Sequence, residues 1–281
     1  MSRKVAVSIA ALLAFCALVG CQHANDRGDN ADPQHLSIPS ARAATALPGD
    51  HASTRRYKIA IDYPVLSATQ APLASALRRT GEDAKREFMQ ALPDPKQFPE
   101  FADRQLQLLI DFKIVARAND FISVREAGMS DTGGAHPLPI DASFVYDTRS
   151  QHVIALDDLF ANPDAACRQL AQFARAAVTK KMLAQTPKPG EGSPEAIKEW
   201  MANTRQMIDD GTKPSTDNFS NFVVRAAPNA ADPSPGLTLI FRPYQVAAYV
   251  YGTQTVDVPT AVFGQYLNPQ YRNAFGEVVV N

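Results

Sequence analysis

Gly236–Pro259 reads GLTLIFRPYQVAAYVYGTQTVDVP, and the rest of the chain is organised around it. Gly236 opens a strand in which Leu237, Leu239 and Phe241 alternate with Thr238 and Ile240, so one face is strongly apolar. Pro243 has no N–H for a ladder, so the strand stops or becomes an edge there. A tyrosine-rich crossing follows (Tyr244, Tyr249, Tyr251), then Gly252 and a second short strand, Thr255–Val258. Upstream, Phe219–Arg225 pairs naturally with Gly236–Phe241 across the loop Pro228–Pro235. Downstream, Thr260–Leu267 reads as a final helix.

Working back to the start, Tyr57–Val65 reads as the first strand of the folded part, with Ile59, Ile61 and Tyr63 on one face. Pro72 suits the first turn of a helix whose buried stripe is Leu73, Leu77, Ala84, Phe88 and Leu92, with Gly81 weakening its middle. In Arg104–Ala118, Leu106, Leu108, Ile110, Phe112 and Ile114 share a face. Asn119-Asp120 then turns the chain into an antiparallel return, Phe121–Glu126. A Gly-rich loop, Ser130–Pro139, precedes a hairpin of Ser143–Tyr146 and Val153–Leu156. Asp157 is placed to cap a short turn ending in Phe160. Asp164–Ala184 and Pro194–Ile208 are amphipathic helices, the second carrying Ile197, Trp200, Met201, Thr204 and Ile208 on one face. Helices interrupting groups of hairpins make the expected fold α+β, with antiparallel sheets and packed helices.

Composition narrows the function. A formal net charge of −1 without a dense Lys/Arg stripe argues against nucleic acid as a partner. A hydrophobic content of 45% suits a packed core and not a polytopic membrane protein. At the N-terminus, Arg3 and Lys4 precede an apolar run, Val5–Val19, too short to span a bilayer comfortably. It ends Leu18-Val19-Gly20-Cys21, which resembles a bacterial lipobox. That resemblance implies cleavage before Cys21 and acylation of it, and two or more acyl chains anchor firmly because each buried CH₂ contributes about 0.8 kcal/mol. Gln22 in the next position implies the outer membrane, with the domain facing the periplasm. The expected division is a lipoprotein signal peptide over 1–20, a flexible tether over 21–52, a small module over 53–135 and a larger one over 136–281. His23, His35 and His51 fall in the tether and read as solvated. Cys167 lies on an apolar helical stripe with Leu170, Ala171, Ala174 and Val178, the setting of an inert buried thiol.

Chemistry is scarce. No Gly-x-Ser-x-Gly elbow, His-Glu-x-x-His or Walker loop occurs. Asp157-Asp158 and Asp209-Asp210 are adjacent carboxylates at helix ends, better read as caps and solvated turns than as acid pairs. His136 is the most tempting side chain, because Gly133 and Gly134 beside it permit an anion-binding nest. With no second His or Cys at a ligand spacing nearby, it reads better as a residue that hydrogen-bonds its own loop. No metal and no cofactor is therefore expected. Tyr244, Tyr249 and Tyr251, with apolar rings and polar tips, and Trp200 suit binding better, though core packing suits them too.

Gly133-Gly134-Ala135-His136-Pro137, followed by Phe144–Asp147 and Ile154–Phe160, and the later Phe241-Arg242-Pro243-Tyr244 strand end with Gly252 and Val256–Pro259, stand in a telling order. Together they resemble a bacterial extracytoplasmic family that includes the outer domain of RsiV-type anti-sigma factors and the non-catalytic N-terminal module of PdaC-type peptidoglycan deacetylases. The resemblance covers about Tyr57 to Leu267 and implies a smaller first module followed by a second. In the RsiV branch the domain binds lysozyme, which makes a lysozyme-like protein or a peptidoglycan fragment the candidate partner here. This sequence lacks the sigma-binding segment, the transmembrane helix and the deacetylase domain of those relatives, so neither signalling to a sigma factor nor deacetylation is implied. The expected function is a lipid-anchored periplasmic binding or sensing module and not an enzyme. The alternative is a hydrolase of peptidoglycan or its peptides using His136 with a carboxylate.

Overall fold

A computed structural model describes residues 44–188, 191–229 and 232–276. The lipobox cysteine Cys21, the rest of the expected signal peptide and most of the tether lie outside these residues. In chain order the first elements are β1 (Ala44–Ala46), β2 (Asp50–Ser53), β3 (Tyr57–Asp62), β4 (Val65–Ser67) and α1 (Ala71–Ala91). The central part holds β5 (Leu106–Ala118), β6 (Phe121–Asp131), β7 (Leu138–Asp147), β8 (His152–Ile154), α2 (Pro163–Leu183) and α3 (Pro194–Gly211). Then come β9 (Phe222–Val224), β10 (Gly236–Phe241), β11 (Gln254–Pro259), α4 (Thr260–Phe263) and α5 (Arg272–Phe275). The architecture is α+β. A six-stranded sheet has the order β2-β3-β5-β6-β7-β8, a three-stranded sheet the order β11-β10-β9, and β1 pairs with β4.

All described strand pairs are antiparallel except β3 with β5, which α1 connects as a crossover must for parallel neighbours. Helix α1 carries Pro72 in its first turn and stops before Pro93, whose ring forces Leu92 out of the helical region (ψ 125°). Gly81 has a packing reason, since a Cβ there would lie 2.2 Å from the Tyr63 hydroxyl. Asn162 and Ser193 cap α2 and α3 by accepting from the amides of Ala165 and Ala196, each followed by proline at the first helical position.

Two cores share the middle strands. Leu73, Leu77 and Phe88 of α1 cover Ile59, Ile61, Leu108, Ile110, Phe112, Val124 and Tyr146. The second core joins Leu170, Ala174 and Val178 of α2 to Leu239, Phe241, Val256, Val258 and Phe263, and takes Phe121 and Val145 from the six-stranded sheet. Strand β6 is thus buried on both faces: Ile122 and Val124 face one core, Phe121 the other. Ser123 exchanges hydrogen bonds with the Val224 backbone (3.0 and 3.3 Å), joining the two sheets at β9.

Several expectations are corrected. Residues 44–46 and 50–52 fall inside the stretch expected to be a tether, yet belong to strands β1 and β2, because pairing with β4 and β3 satisfies their backbone whatever their composition. His51 lies on β2 and meets Asp62, Nε2 to Oδ1 2.9 Å, while its side chain stays exposed as expected. Strands β6 and β7 run on to Asp131 and back from Leu138, which shortens the Gly-rich loop and carries one sheet across the 135/136 division. Asp157 does not cap its turn; the Asp158 carboxylate accepts from the Ala155 amide instead (2.8 Å). The helix expected over Thr260–Leu267 is four residues of α4 followed by a 3₁₀ turn, with α5 beyond it.

Candidate functional site

The crossing after β10 begins with a tight turn, Arg242–Gln245, closed by the Gln245 amide donating to the Arg242 carbonyl (3.0 Å). Pro243 occupies its second position and Tyr244 its third, at φ +70°. A type II turn places glycine or asparagine there, so a tyrosine is held in a conformation that costs on the order of 1–3 kcal/mol. The surroundings over-determine it. The Gln245 side-chain amide donates to the carbonyls of Asn218 (2.8 Å) and Gly211 (3.3 Å), and its oxygen accepts from the Arg242 amide (3.2 Å). The Tyr244 amide donates to the Ala247 carbonyl (2.9 Å). Tyr244 is left 56% exposed, and Val250 beyond it 82%.

His136 stands against this turn. Its Nδ1 lies 3.1 Å from the Pro137 carbonyl, which only accepts, so Nδ1 carries the proton and Nε2 accepts from the Tyr244 hydroxyl at 3.2 Å. The Tyr249 ring stacks on the imidazole, centroids 4.2 Å apart and planes 24° apart. The Tyr249 hydroxyl donates to the same Pro137 carbonyl (3.3 Å). Tyr244 and Tyr249 lie 5.7 Å apart, centroid to centroid. Three of the five candidate binding residues therefore form one aromatic face. Trp200 and Tyr251 form a separate pair, the indole N–H donating to the Tyr251 hydroxyl (3.0 Å) with the rings edge to face. Both partners of the His136 ring are neutral groups, a carbonyl and a phenol. Among the described residues no group of three or more His, Cys, Asp or Glu side chains is placed to hold a metal ion.

Beneath the crossing lies a set of polar residues not singled out from the sequence. Asp141 of β7 accepts two hydrogen bonds from Arg125 (3.1 and 2.7 Å) and one from Thr253 (2.7 Å). Its backbone carbonyl accepts from Arg242 Nε (2.6 Å) and Asn221 Nδ2 (3.3 Å). One carboxylate residue thus ties β6 and β7 to the ends of the three-stranded sheet. Its one sequence-level signal is an acidic side chain inside a strand, weak because an exposed edge position would read the same. Glu126, on the α1 face of β6, is 3% exposed; burial pushes its carboxyl up to about 7 against the opposing pull of Arg242. Cys167 is 2% exposed, and burial pushes its thiol up to about 11, the direction of an unreactive cysteine. No described helix is long and apolar enough to cross a membrane.

Residues 157–261 match a family described as "Protein of unknown function (DUF3298)". The match contains Trp200 and the three tyrosines and begins after His136. Over 217 residues the chain is 25% identical to the peptidoglycan-N-acetylmuramic acid deacetylase PdaC of Bacillus subtilis (strain 168), covering 77% of this chain and 40% of that protein. The chain therefore spans less than half the length of this curated relative. A DUF3298 family protein from Pseudomonas aeruginosa PAO1 superposes with a TM-score of 0.50 at 15% identity, over 83% of this chain and 99% of that one. A DUF3298 family member from Bacteroides fragilis NCTC 9343 gives 0.49 at 14% identity, over 82% and 94%. At 15% identity the likeness to the Pseudomonas protein is one of fold.

Proposed function

We propose that this chain, which carries a DUF3298 domain over residues 157–261, is a lipid-anchored binding or sensing module of the bacterial cell envelope. Its partner is a lysozyme-like protein or cell-wall material. Acylation of Cys21 holds it to the outer membrane with the domain facing the periplasm. The observation that carries this reading is the face of His136, Tyr244 and Tyr249, in which a strained turn keeps a tyrosine exposed while both imidazole nitrogens are engaged by neutral groups. A recognition face needs rigid aromatic surface with polar tips, and here the acceptor nitrogen of the imidazole is taken up by the Tyr244 hydroxyl within that surface. Similarity to a protein named for its action on peptidoglycan N-acetylmuramic acid supports the choice of partner.

The test is calorimetry of the protein against lysozymes and muropeptides, beside a turnover assay on the same fragments. A saturable complex is expected, and Tyr249→Ala should weaken it by about 2 kcal/mol, roughly thirtyfold. Hydrolysis that depends on His136, without a stable complex, would favour the hydrolase instead. Palmitate labelling that persists in Cys21→Ala would remove the lipid anchor from the proposal.

A further inference from the structure

The side chains of His136, Tyr244 and Tyr249 have spent every hydrogen they could donate. The Tyr244 hydroxyl donates to His136 Nε2 (3.2 Å), the Tyr249 hydroxyl to the Pro137 carbonyl (3.3 Å), and His136 Nδ1 to that same carbonyl (3.1 Å). Lone pairs remain on the two phenol oxygens, so the polar atoms left for a partner are acceptors. The rings add to this character. Their planes lie within 24–32° of one another, with centroids 4.2–6.3 Å apart. The face of an aromatic ring is the negative side of its quadrupole, and Tyr244 is 56% exposed. Among the described residues no charged side chain bonds to any of the three. Arg242, the cation of the same turn, is tied by its Nε to the Asp141 carbonyl (2.6 Å), and its charge acts on Glu126.

A surface of ring faces and acceptors, with no side-chain donor, discriminates by charge. A carboxylate or phosphate finds nothing here to donate to it and meets negative potential. A cation is attracted to the exposed ring and can donate to the phenol oxygens. Of the two protein cations, guanidinium fits better. It is planar and weakly hydrated, and it stacks on a ring while its N–H groups reach neighbouring acceptors; an ammonium is a compact, strongly hydrated point charge. We infer that this face receives an arginine side chain of a protein partner, the guanidinium stacking on the exposed Tyr244 ring with its N–H groups directed at the phenol oxygens. The inference rests on the reading of this face as the binding surface and adds the chemistry of what it receives.

The probes are four acetylated, amidated tripeptides of the form Gly-X-Gly, with arginine, citrulline, lysine or glutamate in the middle. Citrulline keeps the planar head and loses the charge. Each is titrated into the full-length protein and followed by the NMR ring signals of Tyr244 and Tyr249. The arginine peptide should give saturable shifts. The citrulline and lysine peptides should bind about tenfold more weakly, and the glutamate peptide should not bind. Tyr244→Gly, which relieves the turn and removes the ring, should abolish the shift of Tyr249 by the arginine peptide. Tyr251→Phe, in the separate Trp200 pair, should leave that shift unchanged. Equal binding of arginine and citrulline would overturn the role of charge, and equal binding of lysine the guanidinium assignment. The absence of saturable shifts with the arginine peptide, or shifts that survive Tyr244→Gly, would overturn the site. The binding reading fails separately: it falls if no complex forms in calorimetry, and it stands if Tyr249→Ala weakens that complex while the peptides do not discriminate.

Discussion

His136 Nε2 lies 3.2 Å from the Tyr244 hydroxyl, across 108 residues of sequence, and the contact exists because Tyr244 sits at φ +70°. An exposed tyrosine that stacks on His136 is thus held where the backbone resists it. Strain of this kind persists when neighbouring bonds over-determine the geometry, and here the Gln245 side chain supplies them.

Tyr244→Gly should therefore leave the protein as stable as before or raise stability by up to about 1 kcal/mol, because glycine takes this turn position without strain and the lost ring is mostly solvated. Partner binding should weaken at the same time. Urea denaturation and calorimetry on one preparation measure both. A loss of several kcal/mol would show that the ring supports the core.

Gly211→Ala should destabilise the fold by about 1–3 kcal/mol, since a Cβ there would lie 2.0 Å from the Gln245 carbonyl oxygen. The clash is with backbone, so the Arg242–Gln245 turn must shift. The expected signature is a lower Tm together with altered aromatic signals of Tyr244 and Tyr249. A neutral effect would mean that α3 and the turn are less closely coupled than their contact indicates.

Glu126 sets a pH dependence with a definite sign. The folded protein keeps its proton to about pH 7, whereas a carboxyl at its ordinary value loses it near 4.5. The unfolded chain thus gives up its proton first, and the contribution of Glu126 to stability, full below about 4.5, falls as pH rises to about 7 and then levels off. Glu126→Gln should flatten that fall. Denaturant midpoints of both proteins across this range are the measurement, and identical slopes would refute it.

Cys167 should resist alkylation in the native protein at mildly alkaline pH and react fully once unfolded, because burial both hides the sulfur and holds it as the thiol. Mass-spectrometric mapping of iodoacetamide adducts reads this directly. Rapid native labelling at Cys167 would mean that α2 opens locally.

The sequence by itself determined where most of the strands and helices run, though not β1, β2 or the early end of α4. Alternation over Leu106–Phe112, the stripe Leu73–Leu77–Phe88, and proline after a capping residue at α2 and α3 are local patterns, written by hydrogen bonds and side-chain spacing within a few residues. The strand end before Pro243 was legible for the same reason: proline lacks the donor. What only the tertiary structure decided is which of those elements meet. The parallel pairing of β3 with β5, the burial of β6 on both faces and the tie of four residues to Asp141 depend on strands brought together from distant parts of the chain. The five candidate residues show the distinction most clearly. Nothing in the spacing of Tyr244, Tyr249 and Tyr251 separates the two that join His136 from the one that joins Trp200. That partition follows from a positive φ after Pro243 and a left-handed glycine at 252 (φ +62°), which set the path of the crossing, and from the packing that holds both turns in place.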